Sequence, residues 1–103
     1  MLSKKLIIAM MFFLMLAAGG AVAGGDAANG EKLSADCADC HGDDGLGDED
    51  VPGIAGMDAK KHAKLLADFQ SGAVDSEMVD YVEGLTEQDM HDLAAYYATL
   101  PGS

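Results

Sequence analysis

The chain contains no arginine and no tryptophan, and its six basic residues, all lysine, face 18 carboxylates, for a formal net charge of −12 over 103 residues. Phosphate binding needs clustered positive charge, so nucleic acid is excluded as a partner. A polybasic membrane-surface domain is excluded on the same ground. Cysteine is scarce: Cys37 and Cys40 are the only two, too few for a disulfide-stapled mini-protein or a four-cysteine zinc site. There is no Pro-rich linker, no internal repeat and no stretch that reads as a strand. The length holds one domain and not two.

One long apolar run is present, Leu6 to Ala18 (LIIAMMFFLMLAA). Lys4 and Lys5 precede it, Gly19 and Gly20 break it, and Ala21-Val22-Ala23 supplies a small-x-small site. This three-part pattern predicts a secretory signal peptide over residues 1–23, cleaved after Ala23; the alternative is an uncleaved N-terminal anchor. The run is short for a membrane span, and no cysteine follows it to carry a lipid. Removal leaves residues 24–103 as the mature domain and takes the net charge to −14. A core built by so short a chain is marginal on its own. Something else is expected to fill it.

Four stretches of the mature chain read as helical. The first runs from about Ala27 to Cys40, with Asp26 as N-cap. The second runs from about Ala59 to Ser71, capped by Asp58 and stopped by Gly72; His62, Leu65, Leu66 and Phe69 share one face. The third is short, roughly Asp75 to Val82. The fourth opens at Thr86, where Asp89 stands in for the Glu of a capping box. It aligns Met90, Leu93, Ala94 and Tyr97 on one face and ends at Pro101-Gly102. Between the first two lies a Gly- and Asp-rich loop, Gly42 to Met57, long enough to be functional or wrapped around something. Its carboxylates, Asp43 to Asp50, do not follow the order of a calcium loop and read as a solvated acidic face.

Cys37-Ala38-Asp39-Cys40-His41 is C-x-x-C-H, the attachment signature of c-type haem. Two thiols one helical turn apart can each add to a vinyl group on one porphyrin edge, and the next residue places an imidazole under the iron. A thioredoxin-like redox pair would need a preceding strand, and a zinc site would need two further ligands.

With these residues the chain resembles a class I c-type cytochrome of the small bacterial monohaem type, over essentially the whole of residues 24–103. The resemblance is carried by Gly25-Asp26-Ala27-Ala28-Asn29-Gly30 followed by Cys37 to Gly42, by Pro52-Gly53-Ile54-Ala55-Gly56, and by Leu85-Thr86 through Leu93-Ala94-Ala95-Tyr96-Tyr97. The chain is also similar to a single half of the dihaem cytochromes and to the cytochrome subunit of sulfide-oxidising flavocytochromes. The resemblance implies an all-α, cytochrome c-like fold of about four short helices wrapped around one covalently bound haem c. Cys37 and Cys40 would attach it and His41 would take one axial position. Met78 lies seven residues before Leu85, the spacing of the family's methionine ligand, and is expected at the other. Met57, after the Gly56 turn, is the alternative; Met90 reads as core and His91 as solvent-facing. His62 stands where the family has an apolar residue and reads as a partly buried helix histidine rather than a ligand. Pro52 matches the proline whose carbonyl accepts from the axial histidine's ring N–H. Gly30 matches a glycine that lets the first and last helices cross. The family's propionate-neutralising arginine is missing after Phe69, so backbone N–H groups, Tyr, Lys or water must serve; Tyr81 reads equally as a propionate contact or a surface tyrosine.

The function implied is a periplasmic one-electron carrier, not an enzyme, acting as a monomer or as a subunit of a redox complex. A His/Met pair closes the iron to other ligands and raises its potential. The acidic surface implies redox partners with a basic docking patch. The alternatives are a haem subunit of a larger periplasmic oxidoreductase and a haem-based gas or redox sensor. Lys60, Lys61 and Lys64 form a small basic island, readable as a docking element or as a solvated face.

Overall fold

A computed structural model describes residues 24–102. The predicted signal peptide lies outside the described residues. Within them the regular structure is helical, with no strand. The elements are α1 (Ala27–Leu33), α2 (Ala35–His41), α3 (Ala59–Ser71), α4 (Val79–Val82) and α5 (Glu87–Thr99). None of these helices is long and apolar enough to cross a membrane.

The single helix expected from Ala27 to Cys40 is two. At Ser34 the hydroxyl donates to the Glu31 carbonyl at 2.7 Å, and the Ser34 N–H goes to the same oxygen at 3.2 Å. That carbonyl would otherwise serve the next turn, so the local bond interrupts the ladder. The third helix is also shorter than expected. Ser76 accepts the Met78 N–H on its hydroxyl, and three-residue turns replace the helix until Val79. The other two elements follow their caps. The Asp58 carboxylate accepts from Lys61 N–H and Gly72 closes α3 in the left-handed conformation. Thr86 and Asp89 exchange side-chain and backbone bonds in a complete capping box.

The helix α5 is the axis of the fold. Its stripe of Met90, Leu93, Ala94 and Tyr97 is buried, facing α3. On another side α1 crosses it at Gly30, where a Cβ would collide with the Asp92 carbonyl and come within 2.8 Å of the Tyr96 Cβ. Beside that crossing Asp92 is buried, only 3% exposed. Its carboxylate accepts from the Asp26 N–H at 2.7 Å, from the Asn29 amide at 2.8 Å and from the Gln88 amide at 2.8 Å. It thereby ties the start of the domain to its last helix.

Burial alone would raise the Asp92 pKa, but the hydrogen bonds outweigh it, with His91 adding, and hold the carboxyl below its ordinary 3.8. A depressed carboxyl contributes stability in full above its unfolded pKa and loses it as pH falls through the folded value. Asp92→Asn is therefore expected to cost about 1–3 kcal/mol at neutral pH. The gap from the parent protein should close as pH falls below 3.8. Denaturant unfolding at several pH values measures both effects; a gap that widens in acid would contradict this account.

Candidate functional site: the cavity beside the paired cysteines

The sequence 37–41 occupies α2, so Cys37 and Cys40 are one turn apart on the same face. Both are free; Cys37 is half-buried and Cys40 exposed. Burial pushes the Cys37 thiol up, partly countered by a hydrogen bond from Tyr97. At the end of α2 the His41 ring is buried. Its Nδ1 lies 2.8 Å from the Pro52 carbonyl oxygen. A carbonyl only accepts, so Nδ1 carries the proton and the Nε2 lone pair is left for a metal.

The loop that delivers Pro52 is built by its own backbone. Gly47 N–H donates to the His41 carbonyl at 2.7 Å, and Ile54 and Ala55 N–H both donate to the Gly45 carbonyl. Asp44 and Asp48 accept backbone N–H groups on their carboxylates, which gives these two members of the acidic loop a turn-forming role. Gly56 N–H donates to the Tyr97 carbonyl at 2.8 Å and docks the loop on α5.

These elements surround a largely apolar cavity of about 520 Å³, within the range that holds cofactor-sized ligands. Cys37, Cys40, His41, Pro52 and Met78 all line it. So do Leu65, Leu66 and Phe69 from α3, and Leu93 and Tyr97 from α5. Met57 lines it too, whereas Met90 and His91 border a separate groove with Lys60 and Lys64. Met90 is core, as its stripe position implied. Tyr81 lines the cavity while remaining 52% exposed.

His62 is more buried than a partly covered helix histidine. It is 3% exposed, lines the cavity, and its Nδ1 has no hydrogen-bond partner among the described residues. Burial, with the nearby His41 adding, pushes its pKa down to about 4, so the ring is neutral at neutral pH.

The donor set fits a c-type haem: two thiols on one helical turn, a buried imidazole with its tautomer fixed, a thioether, and otherwise apolar walls. The comparisons with known proteins agree. The Cytochrome c family model matches residues 27–101. The chain belongs to the cytochrome c family. It is 37% identical over 89 residues to cytochrome c-554(547) of Halothiobacillus neapolitanus, covering 74% of this chain and 98% of that one. It is 34% identical over 74 residues to the cytochrome subunit of sulfide dehydrogenase of Chlorobaculum tepidum, covering 71% and 67%. The solved structure of reduced cytochrome c4 from Pseudomonas stutzeri superposes with a TM-score of 0.70 at 32% identity, covering 77% of this chain. The chain spans about half of that cytochrome c4, 47% of its length. This cytochrome is thus an electron-transfer protein with one covalently bound haem c, and it acts with redox partners.

Two residues with a bearing on the site, Tyr97 in the cavity wall and Gln70 outside it, were not legible as such. Tyr97 reads as core, yet its hydroxyl shares hydrogen bonds with Cys37 and Ser34, and burial holds its phenol well above the usual range. Gln70 reads only as the place where an arginine is absent. Its signal was its position one turn after the buried Leu66, where a side-chain amide must find partners.

The Pro52 carbonyl can be moved without touching Pro52. Gly47 has φ +69°, and a Cβ there would collide with the Val51 carbonyl and lie 2.7 Å from the Pro52 carbonyl oxygen. Gly47→Ala is expected to destabilise the protein by about 1–3 kcal/mol. It should also raise the reduction potential, because an imidazole that loses its carbonyl acceptor is a poorer donor to iron. Denaturant unfolding and a redox titration read the two effects; an unchanged potential would mean that the carbonyl does not tune His41.

Proposed function

We propose that this cytochrome is an exported, periplasmic one-electron carrier with His41 and Met78 as axial ligands. The observation that carries the reading is the convergence of Cys37, Cys40, His41 and Met78 on one apolar cavity. Bound there, haem c supplies an iron that alternates between the ferric and ferrous states. Cys37 and Cys40 hold it through thioether bonds, which lets a small domain retain a large apolar group. His41 donates from Nε2, kept in that tautomer by the Pro52 carbonyl. Met78 comes from the separate segment that precedes α4, whereas Met57 hangs from the turn that already serves His41, which supports Met78 as the second ligand. A soft thioether favours ferrous iron and raises the potential. The leader sequence, residues 1–23, would serve as the export signal and the remaining domain as the carrier.

The partner would present a basic face. Asp50 and Glu77 line the cavity and Asp36 lines the adjoining hollow; among the described residues no lysine borders either. Opposite charges steer the approach, and salt weakens the steering. A second reading, a haem subunit of an oxidoreductase, is supported by the likeness to the cytochrome subunit of sulfide dehydrogenase. Gel filtration of native extract separates the two, since a carrier elutes alone.

Absorbance spectra of the oxidised and reduced protein, with and without carbon monoxide, test the ligand set. A sulfur-to-ferric-iron charge-transfer band and no response to carbon monoxide are expected. Met78→Ala should abolish the band and Met57→Ala should keep it; the reverse would transfer the role to Met57. Ready binding of carbon monoxide by the parent protein would favour a sensor. Electron transfer to a basic redox protein should slow as ionic strength rises, and rates independent of salt would remove the charge-steering argument.

A further inference from the structure

Gln70 sits near the C-terminal end of α3, and its side-chain nitrogen makes two hydrogen bonds outside that helix. It donates to the Val82 carbonyl at 2.8 Å and to the Leu85 carbonyl at 2.7 Å. One amide nitrogen carries two hydrogens, so both bonds form at once. The first acceptor belongs to the last residue of α4 and the second lies three residues beyond it. That helix is four residues long, too short to hold itself together in water, and its last carbonyls have no partner within it.

Met78 is the N-cap of α4, and its carbonyl accepts from the N–H groups of Tyr81 and Val82. The Met78 backbone is therefore fastened to Val82, and Val82 is fastened by Gln70 to α3. On the N-terminal side the attachment is thinner. Val74 N–H reaches the Asp68 carbonyl at 3.2 Å, and the Ser76 hydroxyl accepts the Met78 N–H. The helix α3 is the fixed body in this arrangement, since its other face already forms the cavity wall through His62, Leu65, Leu66 and Phe69.

We propose that Gln70 is the positioning residue that holds the Met78 sulfur on the iron, by clamping α4 to α3 through the Val82 and Leu85 carbonyls. The inference rests on Met78 being the axial ligand. A thioether bond to iron competes with an open state in which the segment swings away. The clamp orders the segment before the bond forms, so the bond need not supply that ordering entropy. An exogenous ligand binds only the open fraction, so its apparent affinity and rate report how often the segment opens.

The test uses holoprotein in four forms: the parent, Gln70→Met, Gln70→Lys and Met78→Ala. Met keeps the length and removes the donors; Lys restores donors of different shape. The readouts are the rate of carbon monoxide binding to the ferrous protein and the loss of the charge-transfer band on warming. Far-UV circular dichroism follows the helices in parallel. Gln70→Met should bind carbon monoxide faster by on the order of tenfold to a hundredfold, the effect of two ordinary hydrogen bonds. Its band should fade at a temperature below that at which the helices melt. Gln70→Lys should lie near the parent.

A Gln70→Met protein with parental carbon monoxide binding, and with band and helices lost together, overturns the clamp while leaving Met78 as ligand. A Gln70→Lys protein as loose as Gln70→Met overturns it as well, since donors would then be irrelevant. A Met78→Ala protein that keeps its band overturns the ligand assignment instead. If Gln70→Met does not accumulate as holoprotein, Gln70→Glu decides by the same readouts, because its carboxylate has no hydrogen to donate at neutral pH and should loosen Met78 at least as far.

Discussion

The buried apolar cluster consists of Ile54, Leu66, Val82, Met90, Leu93 and Tyr97. Four of these six, Ile54, Leu66, Leu93 and Tyr97, also line the cavity. The core is thus a wall around a hollow, and contact between that wall and the haem is the interaction on which the fold depends. The helices cannot compensate. α1 and α2 have seven residues each and α4 has four, lengths at which isolated helices do not persist in water. A domain of this size normally needs a staple, and the proposed ligand set of Cys37, Cys40, His41 and Met78 would connect α2 and the head of α4 through one group. Covalent attachment then has a structural purpose as well as a chemical one: loss of the group would remove the centre of the core along with the iron.

Much of this was legible in the sequence, for identifiable reasons. The caps at Asp58, Gly72, Thr86 and Asp89 use side chains that act within a few residues, so α3 and α5 came out with their observed limits. The C-x-x-C-H motif is equally local, because attachment geometry is set by one helical turn. What escaped reading depends on competition or on distance. The break at Ser34 turns on which donor takes the Glu31 carbonyl, a choice that helical periodicity does not reveal. The Gln70 bonds reach across 12 and 15 residues, and a lone glutamine gives no sign of its partners. His62 was read as partly buried because a histidine on an apolar face tolerates several depths; the cavity wall fixes it at full burial.

Eight of the 18 carboxylates fall into four working groups although composition shows one excess. Asp26, Asp58 and Asp89 cap helices, and Asp44 and Asp48 shape the loop below His41. Asp92 is buried and saturated with donors. Asp50 and Glu77 stand at the cavity, where charge influences the iron and any approaching protein. Several acidic side chains are committed to backbone N–H groups, and replacing them would unfold turns before it altered recognition.

The two sides of the proposed iron site are held in different ways. His41 is oriented by a backbone carbonyl, in a loop closed by further backbone bonds from Gly47, Ile54, Ala55 and Gly56. No single side-chain deletion can remove that carbonyl, so the side is protected against substitution at most positions and vulnerable at the glycines that let the backbone turn. Met78 is oriented through α4, whose tie to α3 includes the side chain of Gln70. That side can be adjusted by one substitution without disturbing the attachment motif. A carrier needs a fixed histidine to keep its group in place and a methionine strong enough to exclude other ligands. With Met78 as the proposed ligand, one side-chain change at Gln70 would alter ligand exclusion and potential while the attachment motif stays the same.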